Sequence, residues 1–196
     1  MYKVKDKSSV CAQILQSARE ELLTNGILGL RVADVAAKSN TSITQIYRFF
    51  RNRDGLLARV LGDIYDEQTQ VAVDIYLSHL PAERALTVRD LADAIPVELT
   101  PELIKVQGLR NQILATSVHN KDLHDRLKVC SQRLYELWTV ELDKLQDRMA
   151  PGEKFDKRFF IMVFSQQNPY YRTLINDNFF TAEEYREFLC EKLRLN

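Results

Sequence analysis

Ser42, Thr44, Gln45, Tyr47, Arg48 and Arg53 crowd into a twelve-residue window and bring hydroxyls, a carboxamide, a phenol and two guanidinium groups. Such groups donate and accept hydrogen bonds and neutralise anions. Residues 31–53 hold five Arg/Lys against the single acid Asp34, so the window is locally basic. Bond-breaking chemistry has no comparable signature. The six glycines are scattered and form no G-x-G or G-K-[ST] phosphate loop. His79, His119 and His124 lack the spacing of a metal site, and no G-x-S-x-G or Cys/His signature occurs. No catalytic residue, metal or cofactor is therefore expected, and a binding protein is favoured over an enzyme.

The elements that must position these residues are legible from apolar periodicity. Val32, Val35 and Ala36 form a short helical stripe, Ser39-Asn40-Thr41-Ser42 breaks it, and Ile43, Ile46, Tyr47 and Phe50 open a second stripe. Two short helices joined by a tight turn follow. Asn40 suits a left-handed turn residue, since Asn tolerates that conformation best after glycine. Ser42 supplies a hydroxyl cap for the second helix. Ile43, Ile46 and Phe50 are expected in the core, leaving Ser42, Thr44, Gln45, Tyr47 and Arg48 on or near the open side.

This stretch resembles the helix-turn-helix and following helix of the tetracycline-repressor (TetR) family, whose pattern runs roughly T-x-x-x-I-A-x-x-A-G-V-S-x-x-x-[LI]-Y-x-[HY]-F-x-[SN]-K-x-x-L. Here it reads Val35-Ala36, Ser42, Ile46-Tyr47, Phe49-Phe50, Asn52-Arg53 and Leu56, over about the first third of the chain. Arg31 stands where the family has Thr, Asn40 where it has Gly, Thr41 where it has an apolar residue, and Arg53 where it has Lys. The last exchange keeps the charge and adds a planar fork. The resemblance implies a recognition helix whose Thr44 and Gln45 reach base edges in the major groove, where Gln pairs bidentately with adenine. It also implies a phosphate contact through the Tyr47 hydroxyl and a phosphate or base contact through Arg48. Arg53, at a helix start, would share one phosphate with exposed backbone N–H groups.

The rest of the chain is ordinary for a globular protein: 196 residues, 45% apolar, 28% charged, and no net charge. The balance is uneven, with ten Lys/Arg against seven Asp/Glu in residues 1–66 and seventeen against twenty beyond. A local basic surface on a neutral body fits a sequence-reading domain better than a non-specific polyanion binder. Cys11, Cys130 and Cys190 are far apart and form no C-x-x-C, as expected of reduced thiols. The longest apolar run, residues 159–164, is too short to span a bilayer, and no apolar signal core opens the chain, so no membrane contact and a cytoplasmic location are expected.

In chain order, a Lys-rich lead over residues 1–7 precedes a first helix with Val10, Ile14, Leu15, Ala18, Leu22 and Leu23 on its stripe, ended by Gly26. Ile27, Leu28 and Leu30 are expected to plug the core of a three-helix head. Asn52 caps a long helix that runs towards Pro81. Capping signals follow at Thr87-x-x-Asp90, Thr100-Pro101 and Asn120, and residues 122–149 read as one long amphipathic helix. A helix over about residues 153–167, a break at Pro169 beside Tyr170-Tyr171, and a final helix opened by Thr181-x-x-Glu184 complete the chain. The fold expected is all-α, about nine helices, with a helix-turn-helix DNA-binding domain over residues 1–52 and an effector-binding and dimerisation domain over 53–196.

By resemblance, the second part holds a small-molecule effector, with Tyr65, Gln112, Thr116, His119, Tyr135 and Trp138 as candidate pocket residues. Phe159-Phe160-Ile161-Met162-Val163-Phe164 is apolar around its whole circumference and so calls for cover on every side. With the stripe Tyr185, Phe188, Leu189 and Leu193 of the final helix it predicts a homodimer interface built on Phe159, Phe160, Met162, Val163, Tyr185, Phe188 and Leu189. The expected function is a dimeric transcriptional regulator, usually a repressor, that binds a palindromic operator in double-stranded DNA and leaves it when an effector binds. The alternative is a dimeric helical protein-interaction module without DNA binding.

Overall fold

The computed structural model describes residues 7–166 and 181–195; the Lys-rich lead as far as residue 6 and the break at residues 169–171 lie outside them. Nine helices account for the described chain: α1 (Lys7–Gly29), α2 (Val32–Lys38), α3 (Ile43–Phe50), α4 (Arg53–Ser78), α5 (Val88–Asp93), α6 (Pro101–Ser117), α7 (Lys121–Asp147), α8 (Lys157–Gln166) and α9 (Ala182–Leu193). Among the described residues no strand forms, only isolated bridges at Leu86–Met149 and Phe155–Arg194. The all-α expectation holds. The chain divides into two compact units, one of residues 1–67 and 110–130, the other of 68–109 and 131–196.

In the first unit, α1 buries Ile14, Ala18 and Leu22 at spacing four, together with Ser17 and Glu21 from the neighbouring row. Buried Glu21 is tolerated because Lys38 Nζ donates to Oε2 at 2.6 Å and Asn25 Nδ2 to Oε1 at 2.5 Å. These bonds, Lys38 foremost, hold the carboxyl below its ordinary value. Gly26 breaks α1 with φ 72°, as its position predicts.

Two expectations fail here. Leu28 is 97% exposed, because Ile27 and Leu30 lie about 60° apart on one side of a helical turn and Leu28 is about 100° or more from both. Leu23 is 66% exposed, since at about 100° per residue it lies opposite Ile14 and Glu21, on the far side from the face that α1 buries.

α4 is capped by Asn52, whose Oδ1 accepts from Gly55 N at 2.8 Å. Gly55 is required: a Cβ there would collide with the carbonyl of Phe50. Gly62, two turns on, leaves room for Arg126 of α7, which pairs with Asp63. Buried Asn120 caps α7 through Leu123 N at 3.0 Å and donates to the Asp54 carbonyl at 3.0 Å.

The second unit has its own core. Tyr76 and Trp138 meet each other and both Phe160 and Phe164 edge to face, with Trp138 4.6 Å from Phe164 and 5.0 Å from Phe160 between ring centroids, while Phe160 and Phe164 stack. Leu86, Leu91, Leu142, Leu145, Phe155, Leu189 and Leu193 surround them. Thr87–Asp90 and Thr181–Glu184 form the two capping boxes expected for α5 and α9. Arg89 ties α5 to α9 by bonding Asp93 at 2.9 Å and Glu183 at 2.7 Å. None of the three cysteines is in a disulfide; Cys11 is half-buried and Cys130 and Cys190 are buried.

Candidate nucleic-acid interface

α2 and α3 form the helical hairpin expected. Asn40 takes φ 49°, and Thr41 N closes the turn on Ala36 O at 3.0 Å. Ser42 is the N-cap of α3: its backbone is extended and its Oγ accepts from Gln45 N at 3.1 Å. Ser39 Oγ is turned inward onto the Val35 carbonyl at 2.7 Å, which satisfies a buried hydroxyl. α3 buries Ile46 and Phe50 and exposes Thr44, Tyr47 and Arg48.

Ile43 is 42% exposed, contrary to its expected place in the core. Helical side chains lean towards the N-terminus, so a first-turn residue projects past the helix end onto the turn rather than onto its neighbours. Gln45 is half-buried, and its Oε1 accepts from Thr41 Oγ1 at 2.8 Å, which orients the carboxamide. Its amide nitrogen is left as the outward-acting group.

Arg53 behaves differently from Arg48. Its Nη2 donates to Ile27 O at 3.1 Å and its Nε to Leu30 O at 3.3 Å, so the guanidinium caps the carbonyls that follow the Gly26 kink. The remaining donors are what it has for a phosphate. Arg51, with φ 66°, ends α3 and pairs with Asp122 at the start of α7.

The residues expected around an effector are spread over both units. Tyr65, Gln112, Thr116 and His119 belong to the first, with Tyr65 and Thr116 half-buried and Gln112 and His119 exposed. Tyr135 and Trp138 belong to the second; Tyr135 is 62% exposed, and Trp138 is enclosed in the aromatic core with its indole N–H unbonded. A buried donor without a partner costs about 1–3 kcal/mol. One residue that sequence reasoning passes over is Arg110, the only charged side chain of α6 that the fold buries; its guanidinium lies 4.4 Å from the Tyr65 ring centroid. A cation–π contact returns about 2 kcal/mol when desolvated, less than the several kcal/mol that burial of an ion costs. The signal for it in the sequence is an arginine in the otherwise apolar row Leu109, Ile113, Leu114.

The residues expected at a dimer interface also divide. Phe160 and Leu189 point into the second unit's core, Phe159, Val163 and Tyr185 are half-buried against it, and Met162 and Phe188 are each 49% exposed. Among the described residues no cluster of metal-ligating side chains occurs, and no helix is long and apolar enough to cross a membrane.

Residues 14–60 match the family model of bacterial regulatory proteins of the tetR family. No curated protein sequence matches the chain. Among solved structures, the fold is similar to one assigned to the TetR-family transcriptional regulators from Mesorhizobium loti, at 15% identity, 96% and 95% of the two chains and a TM-score of 0.63. It is also similar to one so assigned from Rhodococcus sp., at 21% identity, 94% and 96% coverage and a TM-score of 0.55. A third, assigned as a transcriptional regulator from Saccharomonospora viridis and solved with choline, matches at 16% identity, 97% and 100% coverage and a TM-score of 0.56. These likenesses show the fold, an all-α chain of the kind seen in TetR-family transcriptional regulators, and residues 14–60 are similar to the bacterial regulatory proteins of the tetR family.

Proposed function

We propose that the chain is a cytoplasmic, homodimeric repressor that binds a palindromic operator and is released from it by a small-molecule effector. The observation that carries this reading is the outward face of α3, where a Ser42-capped helix presents Thr44, Tyr47 and Arg48 beside the Gln45 amide while Ile46 and Phe50 anchor it. Residues 1–52 form the DNA-binding domain, and 53–196 form the effector-binding and dimerisation domain. Thr44 and Gln45 read base edges; Ser42, Tyr47 and Arg48 fix the helix on phosphates, with Arg53 in support. A two-fold dimer places two such helices about 34 Å apart to match a palindrome.

The effector acts by preferring a body conformation that holds the recognition helices at the wrong separation. A solved protein of this fold holds choline, which supports a small molecule in that role. Of the six candidate pocket residues, the proposal retains Tyr65 and Thr116, both half-buried in one unit.

Fluorescence anisotropy with labelled duplexes from the flanks of the protein's own gene, alongside selection from a random duplex library, tests the reading. Saturable, sequence-preferring binding is expected. Binding to no duplex above the non-specific level, or equal binding by wild type and Arg48→Ala, would refute it.

A further inference from the structure

α6 buries two side chains, Ile113 and Arg110, although Leu103, Val106 and Leu114 on the same helix stay exposed. Arg110 Nη2 donates to the Tyr65 hydroxyl at 3.1 Å, and the guanidinium sits against the Tyr65 ring. Both residues belong to the same compact unit. Among the described residues no carboxylate pairs with Arg110, whereas Arg19, Arg51, Arg59, Arg84, Arg89 and Arg126 all have acidic partners. A ring face and one phenol oxygen engage only part of the guanidinium, and its Nε and Nη1, which are not among the buried donors left without a partner, keep solvent access for a further acceptor. A guanidinium so placed is built for a planar oxyanion, which it binds through two parallel hydrogen bonds.

The neighbours set the rest of the ligand. Ile113 and Leu114 stand three and four residues beyond Arg110 on α6, and Leu61 four residues before Tyr65 on α4, so helical spacing puts apolar side chains next to the charged pair. Leu61 and Ile113 are fully buried. We propose that Arg110 receives the carboxylate of a small organic acid with an apolar body, and that this acid is the effector; the second half rests on the effector-release reading above. A cationic ligand of choline's kind meets like charge there. Inorganic phosphate offers an oxyanion but nothing for the apolar neighbours.

The test uses the full chain without DNA. Thermal unfolding of wild type, Arg110→Met and Arg110→Lys is followed in benzoate, octanoate, benzamide, choline and inorganic phosphate at constant ionic strength. Benzoate or octanoate should raise the wild-type midpoint in a saturable way, while benzamide and choline should not. Apparent carboxylate affinity should fall about tenfold or more in Arg110→Met, and Arg110→Lys, which keeps charge but not the fork, should lie between. Without ligand, Arg110→Met should unfold at or above the wild-type midpoint, because it removes a charge that is largely taken from water without a carboxylate beside it. The proposal is overturned if neither carboxylate shifts the wild type, if both variants respond as the wild type does, if phosphate protects as well as the carboxylates, or if Arg110→Met unfolds earlier with no ligand present. A second arm adds the active carboxylate to the DNA complex, where loss of anisotropy in wild type but not in Arg110→Met is expected. Arg110-dependent carboxylate binding without that loss overturns the effector role, while a chain that binds no DNA overturns the operator reading and leaves the carboxylate titration to decide the site.

Discussion

Arg48 and Arg53 carry the same charge and do different work. Arg48 is exposed on α3, whereas Arg53 is half-buried and bonded to the carbonyls of Ile27 and Leu30. Hydrogen bonds from a charged group contribute about 1.5–3 kcal/mol each to stability, so Arg53→Ala should lower the urea midpoint by a cost of that order. Arg48→Ala should leave stability within about 0.5 kcal/mol and reduce the slope of log K against log salt by about 0.9 for each phosphate that Arg48 neutralises. An Arg53→Ala protein of wild-type stability would show that its two carbonyl bonds contribute nothing and would leave Arg53 with the phosphate role alone. Glu21 gives a pH signature. Its native carboxyl is held below the ordinary 4.5, first by Lys38 and then by Asn25. A lowered native pKa means that the contribution is full above the ordinary value and is lost as pH falls through the native one. The stability advantage of wild type over Glu21→Gln, measured by urea unfolding, should therefore be constant near neutrality and shrink once pH drops below 4.5. An advantage independent of pH would show that the pair contributes packing alone.

At the scale of the helix, the ends are more legible than the faces. Ser42, Asn52, Thr87, Thr100, Asn120 and Thr181 all read as caps from the sequence, and each accepts a backbone N–H in the structure. A cap is a local contract between neighbours in sequence, so sequence suffices to find it. Ser42→Ala should accordingly destabilise the head by about 1 kcal/mol, seen as an earlier urea transition, and Ser42→Asp should restore most of it. Which side of a helix faces the core depends on what lies opposite. α1 buries the row that carries Glu21, whose partner Lys38 is seventeen residues away, so Leu23 on the opposite side is exposed, and Leu28 is turned out by the geometry after Gly26. The same blindness hides Arg110, whose companion Tyr65 lies on another helix. In the candidate interface, the helix and its outward residues are readable from period and cap, but the attachment of Arg53 to the end of α1 is a tertiary interaction with no local trace.

At the scale of the whole molecule, the proposed dimer turns on α8 and α9. In the proposed dimer, Phe160 and Leu189 belong to the core of one chain, and Met162 and Phe188, each 49% exposed, with half-buried Phe159, Val163 and Tyr185, would face the second copy. Sedimentation at micromolar concentration should find twice the chain mass, and Met162→Glu with Phe188→Glu should give a folded species of single mass that binds operator DNA weakly. A wild type that sediments as one chain would end the dimer proposal. The thiols bear on cooperativity. Cys130 is buried in one compact unit and Cys190 in the other, while Cys11 is partly open to solvent. α4, α6 and α7 each contribute residues to both units, so unravelling one unit cuts helices that the other needs. In a pulse of thiol reagent, Cys11 should react first, and Cys130 and Cys190 should then follow at one common rate, read by mass spectrometry of their separate peptides. The native cysteines thus serve as two built-in clocks, one for each half of the chain, and the interval between them times how nearly the protein comes apart as a single object.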